Sequence, residues 1–182
     1  MPHIVLELLY PDALIPVRAT RDAAGYDLHA YLAGRTVRCS DGATVHDMAC
    51  VADPGDASIV LPPGLMALVQ LGFKARLPQG YEAQVRPRSG AAFKKGLHIQ
   101  NAPGTIDADY PGEWMVPVQN GGSHPLRIAH GERIAQVVLH RFEVLEFISG
   151  TVAVTSDRAG GFGSTGSLAD KLPGVAQRRV SR

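Results

Sequence analysis

Two aspartates near the middle of the 182-residue chain are candidates for hydrolytic chemistry. Asp107 and Asp109 lie two positions apart in the stretch GTIDADYPGEW, between glycines. On a strand they would share one face, whereas on the tight turn that the glycines favour they would diverge. A carboxylate in such a place can orient and deprotonate water for attack on a phosphoanhydride. The alternative stays open at this point, because turns also favour Asp for local hydrogen bonds.

A second stretch, RPRSG, has the residue types that bind phosphate. Arg88 offers a guanidinium, Ser89 a hydroxyl and Gly90 an unobstructed backbone N–H, a combination suited to phosphate oxygens at close range. Arg86 is interpreted as structural, because alternation along YEAQVRPRS separates it from the ligand-facing group. Near the C-terminus, RAGGFGSTG combines an arginine, an aromatic residue and a Gly-Ser-Thr-Gly run that could close on a phosphate ligand.

The segments that must position these groups have the pattern of short strands. Apolar and β-branched runs such as LMALVQLGF and RIAQVVLHRF alternate with the turns PPG, PQG, NAPG and NGG. Only SGAAFKKG is typical of a helical turn. The pattern predicts an all-β sandwich or barrel with at most one short helix.

The domain organisation follows from where this rhythm stops. We expect one β-domain over residues 1–155 and a flexible, glycine-rich C-terminal tail over 156–182. Within the domain, residues 34–57 have little apolar alternation and indicate a surface insertion, either a long loop or a small extra hairpin. Such a loop should be removable at a cost of about 1 kcal/mol or less.

The two cysteines of the chain both lie in this insertion. Cys39 and Cys50, with His46 between them, could form a three-ligand metal site, but structural zinc requires four ligands. Two reduced thiols are the favoured interpretation, since two cysteines are too few for a disulfide scaffold.

Composition excludes several functional classes. The net charge of +1 argues against broad nucleic-acid binding, and no apolar run is long enough to span a bilayer. The N-terminus lacks the basic and apolar regions of a secretion signal, which predicts a cytoplasmic protein.

Five stretches together carry a family resemblance. Their order and distribution over most of the domain resemble the five motifs of the trimeric dUTP pyrophosphatases, or dUTPases. The stretches are AAGYDLHA (23–30), RPRSGAA (86–92), GTIDADYPGEW (104–114), GERIAQV (131–137) and RAGGFGSTG (158–166). We refer to them below as motifs 1 to 5.

The resemblance implies a jelly-roll-like β-domain that hydrolyses dUTP to dUMP and pyrophosphate with Mg²⁺. It selects Asp107 as the base that activates water, and Asp27 as a carboxylate linked to Mg²⁺ through water. The residues implied to contact dUTP are Arg88, Ser89, Gly90, Asn101, Thr105, Ile106, Tyr110, Met115, Gln136, Arg158, Phe162, Gly163, Ser164 and Thr165.

Among these, Tyr110 is implied to pack against the deoxyribose and exclude a 2′-hydroxyl, and Asn101 to bind uracil. Taken without the resemblance, Tyr110 is more typical of a core-edge tyrosine, and Asn101 is also compatible with a simple turn residue. In the family the active sites lie at subunit interfaces and the tail reaches a site built by other subunits, so the resemblance also implies a homotrimer.

The sequence departs from the family pattern at two positions, and two rival functions share its fold class. Pro111 stands where many relatives have arginine, and Trp114 where a smaller aliphatic residue is common. A dCTP deaminase would share the fold but needs a proton-shuttling glutamate, whose position corresponds to Pro117. A catalytically silent β-trimer is disfavoured because Asp107, Ser89, Gln136 and the tail motif are all present.

Overall fold

The computed structural model describes residues 3–153. By its internal contacts the chain divides into two units, residues 1–144 and 145–182. The described part of the second unit, 145–153, has no regular secondary structure. The predicted domain boundary after residue 155 and all five tail residues assigned to substrate binding lie outside the described residues.

The first unit is built from short strands, as the alternating pattern predicts. Its elements in chain order are β1 (Val5–Leu8), β2 (Val17–Arg18), β3 (Tyr26–His29), β4 (Thr36–Ser40), β5 (Val45–Ala49), β6 (Ser58–Leu61), β7 (Met66–Arg76), β8 (Tyr81–Arg86), α1 (Ser89–Lys95), β9 (Leu97–Ile99), β10 (Gly104–Ile106), β11 (Glu113–Asn120), β12 (Leu126–Ala129) and β13 (Arg133–Arg141). Within residues 3–153, α1 is the only helix, and no helix there is long and apolar enough to cross a membrane.

The strands form two main sheets. The first has the order β5-β4-β7-β11-β9, with β1 also pairing β7, and the second has the order β10-β8-β13-β3-β2. Strands β12 and β6 pair separately. All the pairings are antiparallel. The prediction of an all-β, jelly-roll-like fold is therefore confirmed.

Alternation along the strands places every second side chain in the core. In β11 the inward residues Trp114, Val116 and Val118 are buried, whereas the intervening residues are half-buried. Trp114 packs against Phe73 of β7 with ring centroids 5.4 Å apart. The bulk of Trp114, a departure noted in the sequence, is thus used in the core.

Residues 34–57 contain a hairpin, one of the two alternatives. The turn between β4 and β5 is held by Asp41, whose carboxylate accepts the backbone N–H groups of Thr44 and Ala43. These hydrogen bonds hold the pKa of Asp41 below its usual range. Strand β4 pairs with β7, which makes the hairpin an extension of the first sheet.

The inner strand of the hairpin belongs to the core. Val37 and Cys39 are 0% and 1% exposed, respectively. The expectation that residues 34–57 can be shortened at almost no cost therefore needs correction, because deletion would remove two buried side chains and uncover one edge of β7.

The cysteines do not meet. Cys39 pairs across the hairpin with His46, whereas the Cys50 N–H donates to the carbonyl of Arg35, which lies four residues before Cys39. Four residues of strand span about 13 Å, beyond the reach of a disulfide or a shared metal ion. Burial raises the pKa of both thiols. These observations support the interpretation of two reduced thiols.

Candidate active site

Motifs 1, 2 and 4 converge because their strands are neighbours in the second sheet. Strand β13 lies between β8 and β3, and Gln136 is in register with Arg86 on one side and Asp27 on the other. The ladder thus brings together three stretches that are far apart in sequence. They line an open cleft of about 440 Å³ that includes Gly25, Asp27, Arg88, Ser89, Gly90 and Gln136.

Asp27 is the electrostatic centre of this cleft. Its Oδ1 accepts the Arg88 Nε–H at 2.9 Å, and its Oδ2 accepts from Arg133 Nη1 at 3.1 Å. The side chain of Asp27 is 13% exposed and that of Arg88 27%. Arg88 Nη1 also donates to the Arg133 carbonyl at 3.2 Å. The carboxylate therefore fixes the direction of two guanidinium groups.

Gln136 is held just as firmly. Its amide nitrogen donates to the Pro87 carbonyl at 2.9 Å. A Cβ at position 25 would lie 2.3 Å from Gln136 Oε1, so Gly25 is needed for this close approach. This contact explains the glycine of motif 1 in physical terms.

Arg86 has a different set of hydrogen-bond partners, but its predicted separation from the ligand-facing group is not seen, because it lines the same cleft. Its Nη2 approaches Gln84 Oε1 and His140 Nε2, each at 2.8 Å. These contacts tie β8 to β13 beside the cleft, which Arg86 also borders.

The sequence analysis missed two groups beside Asp27. Arg133 lies in motif 4, three residues before Gln136, and its place in the motif could have marked it as a candidate site residue. His29 lies two residues after Asp27 on β3. Burial lowers the pKa of His29, and the charges of Arg133 and Arg88 act in the same direction, against an opposing effect of Asp27.

Motif 3 begins in the second sheet and ends in the first. Strand β10 carries Thr105 and Ile106 and pairs with β8, and the following turn carries Asp107 and Tyr110 before the chain enters β11. The Tyr110 N–H donates to the Asp107 carbonyl at 3.2 Å, closing the turn. Both side chains are exposed.

Register separates Asp107 from the cleft within one chain. Ile106 is opposite Ala83, so Asp107 extends β10 away from Arg86. The distance along β8 from the position opposite Asp107 to Arg86 is about 13 Å, and Ser89 lies further still. Met115 lies on β11 of the first sheet. Asp107, Tyr110 and Met115 are thus not brought to the cleft.

The segment just before motif 3, residues 101–103, does reach the cleft region. Ala102 and Pro103 border a hollow with Pro87 and Gln136. The Asn101 amide folds back over Gly104, where a Cβ would lie 2.9 Å from its nitrogen. Asn101, the residue predicted to bind uracil, therefore lies near the candidate phosphate-binding residues, unlike Asp107.

Among the residues that the structure describes, the cleft offers a single carboxylate, Asp27, to a divalent cation. Within residues 3–153 no group of three or more His, Cys, Asp or Glu side chains could hold a metal. Each oxygen of Asp27 accepts one arginine donor, and a carboxylate has about four acceptor sites, so each oxygen retains room for a water molecule. Asp27 fits a water-mediated link to Mg²⁺, which keeps several waters and takes its other ligands from phosphates.

An all-β fold with an anchored arginine, a serine and a hydrogen-bonded glutamine around one cleft has the features of a phosphate-binding protein. Comparison with known families narrows the class: a family model described as dUTPase matches residues 55–166, more than half of the chain. The chain belongs to the dUTPase family, a family known to use Mg²⁺, and its activity is the hydrolysis of dUTP to dUMP and pyrophosphate.

Solved structures show the same fold. The dUTPase of Staphylococcus bacteriophage 80alpha with dUPNHPP is 24% identical, with 91% of this chain and 99% of that chain covered and a TM-score of 0.69. The Streptococcus mutans dUTPase is 26% identical, with 78% of this chain and 98% of that chain covered and a TM-score of 0.59. A mutant dUTPase from phage phi11 of S. aureus, described with a structural Mg(II) ion, is 21% identical. The match covers 81% of this chain and 96% of that chain, with a TM-score of 0.61.

Proposed function

We propose that the chain hydrolyses dUTP by attack of an Asp107-activated water on the α-phosphate, with the triphosphate held in the cleft around Asp27. The observation that carries this proposal is the convergence of Asp27, Arg88 and Gln136 from three adjacent strands. The cleft offers positive charge in fixed directions, which is what a phosphoryl transfer needs most from a protein.

The proposed phosphate contacts follow from the donors that remain free. In Arg88, Nε is used by Asp27 and Nη1 by the Arg133 carbonyl, and we assign the remaining Nη2 to a phosphate oxygen. Ser89 and Gly90 are exposed at the start of α1. We assign Ser89 to the α–β bridging oxygen, where charge develops as pyrophosphate leaves, and Gln136 to the α-phosphate.

We propose that Asp27 holds Mg²⁺ through water. When bound, the ion neutralises charge on the phosphate oxygens. The chain's own contribution is to orient Arg88 and Arg133 with the same carboxylate. The phi11 relative, described with a structural Mg(II) ion, supports a divalent cation in this fold.

We assign the nucleoside contacts to the segment 101–115. The Asn101 amide can both donate to and accept from the uracil edge, with Thr105 and Ile106 on the adjoining strand. Tyr110 is proposed to pack on the deoxyribose, and Met115 to contact the nucleotide. The tail residues Arg158, Phe162, Gly163, Ser164 and Thr165 are proposed to close over uracil and the β- and γ-phosphates.

The separation of Asp107 from the cleft supports an active site shared between copies. In one chain the proposed base is about 13 Å of strand from Arg86, too far to act on a phosphate in the cleft. We propose a homotrimer in which motif 3 of one subunit faces the cleft of another. Symmetric assembly would generate identical composite sites. The cytoplasmic location stays a prediction from the sequence.

A substrate panel tests this function. We expect pyrophosphate release with dUTP at least about 100-fold faster, as kcat/KM, than with dCTP, dTTP or UTP. The same reactions should be assayed for ammonia, because Pro117 occupies the position where a deaminase needs its glutamate. Ammonia from dCTP, or equal hydrolysis of all four nucleotides, would contradict the proposal.

A further inference from the structure

Motif 3 enters the first sheet where the strand ladder is interrupted. Glu113 is in register with Lys74, but the next pair is Met115 with Gln70, so the register shifts between them. The extra residues of β7 include Gly72, which has φ +77°. A bulge of this kind removes regular ladder hydrogen bonds, so another group must hold the backbone here.

The side chain of Glu113 takes over this task. Its Oε1 accepts the Gly72 N–H at 2.9 Å, and its Oε2 accepts from Arg35 Nη2 at 2.7 Å. The side chains of Glu113 and Arg35 are 15% and 18% exposed. Removing either partner would leave a largely buried charge unpaired.

Arg35 is itself held from the N-terminal segment. Its Nη1 donates to the Tyr10 hydroxyl, and its guanidinium lies 5.0 Å from the centroid of the Tyr10 ring. Tyr10 stacks on Tyr31 at 4.5 Å, and the Tyr31 hydroxyl donates to Asp12 at 2.8 Å. Arg35 thus has a fixed direction, although it lies outside the residues matched by the family model.

Tyr110 depends on the backbone that this pair holds. Its hydroxyl donates to the Glu113 carbonyl at 3.3 Å. Its ring lies over Gly112, where a Cβ would be 2.5 Å from the hydroxyl oxygen. A displacement of Glu113 would therefore be transmitted directly to the Tyr110 ring.

We propose that Arg35 and Glu113 are positioning residues for Tyr110 and thereby set the discrimination between dUTP and UTP. This inference rests on the proposed contact of Tyr110 with the sugar. A ring that excludes a 2′-hydroxyl by contact must be held within a fraction of an ångström, since a small displacement opens space for one oxygen atom.

The test compares dUTP and UTP kinetics of the full chain in Arg35→Gln and Glu113→Gln. We expect the ratio of kcat/KM for dUTP to that for UTP to fall about tenfold in both variants, mainly through better use of UTP. Arg35→Lys should restore only part of the ratio, because one ammonium cannot reproduce a guanidinium that contacts both Glu113 and the Tyr10 ring. Arg38→Gln is the matched control, since Arg38 lies on the same hairpin in an exposed, 3.9 Å pair with Asp47, and it should leave the ratio unchanged.

A ratio within about twofold of wild type in both glutamine variants, with stability alone reduced, would overturn the inference. If those variants do not fold, Tyr10→Phe removes only the hydroxyl contact to Arg35; it should lower the ratio in the same direction, and an unchanged ratio again overturns the inference. Tyr110→Ala separates the proposed role of Tyr110 from the positioning role of Arg35 and Glu113. If it leaves the ratio intact, the proposed role of Tyr110 fails, whereas a changed ratio there with none in the Arg35 and Glu113 variants refutes only the positioning pair.

Discussion

The cleft and the motif 3 turn are held in place by different means. Asp27, Arg88 and Gln136 lie on or beside adjacent strands of one sheet, where the ladder sets their spacing. Asp107 and Tyr110 lie on an exposed turn between the two sheets, next to a ladder interruption that a side chain, Glu113, bridges. The groups proposed to bind phosphate are thus positioned by the sheet, whereas the proposed base needs support from outside it.

The comparison is tested most strongly at the motif 3 turn. Asp107→Asn should lower kcat by about 1,000-fold, because the amide keeps the shape of the carboxylate but cannot accept a proton from water. Since the cleft is untouched, binding of a non-hydrolysable dUTP analogue should change less than about threefold. Turnover close to wild type would show that Asp107 is not the base.

In the cleft, Asp27→Asn should lower kcat/KM by about 100-fold, because it releases both arginines from their fixed directions. Arg133→Gln is the matched variant: Arg133 is half-exposed and its loss leaves the Asp27–Arg88 pair in place, so we expect less than a tenfold effect. The measurement is steady-state pyrophosphate release over a range of Mg²⁺ concentrations. Equal effects of the two variants would refute the anchoring role of Asp27.

The hairpin offers a stability test away from either region. Val37→Ala should lower the free energy of unfolding by about 2 kcal/mol through lost apolar contacts and a small cavity. Val45→Ala, on the outer strand where Val45 is 66% exposed, should change it by less than about 0.5 kcal/mol. Urea unfolding monitored by circular dichroism measures both. Equal stability of the two variants would restore the interpretation of the region as a dispensable insertion.

The smallest expected effect is a pH dependence near Arg35. Burial and the hydrogen bond to Asp12 raise the pKa of Tyr31 from 10.0 to about 12. Because the folded state keeps the neutral phenol, this stabilisation is complete below pH 10 and is lost as the pH rises to about 12. Between pH 9 and about 11.5, the melting temperature should therefore fall more steeply in the wild-type protein than in Tyr31→Phe. Parallel plots of melting temperature against pH for the two proteins would contradict the raised pKa of Tyr31.

Much of this organisation could be predicted from the sequence. The all-β fold follows from alternation and turns, and the strand TVRCS at 36–40 also alternates, a signal that would have identified Val37 and Cys39 as buried. The convergence of Asp27, Arg88 and Gln136 was expected from the motifs. The pairing of Arg133 with Asp27 was not, because it depends on a register shift in β13 between Arg133 and Ala135.

The Arg35–Glu113 pair was beyond sequence reasoning for a similar reason. The two residues are 78 positions apart, and their meeting depends on the bulge around Gly72 and on the stacking of Tyr10 on Tyr31. Neither feature has a local signature, since any glycine in an apolar strand is compatible with several backbone geometries.

The central claim is that each active site combines the cleft of one subunit with motif 3 of another. Co-expression of Asp107→Asn with Ser89→Ala, each nearly inactive alone, tests it directly by measuring dUTP turnover of the purified mixed oligomer. Random assembly from equal amounts places an intact Asp107 opposite an intact Ser89 in about a quarter of the sites, so about a quarter of wild-type activity should return. Activity no higher than that of the single variants would contradict the shared site and place both residues in the site of one chain.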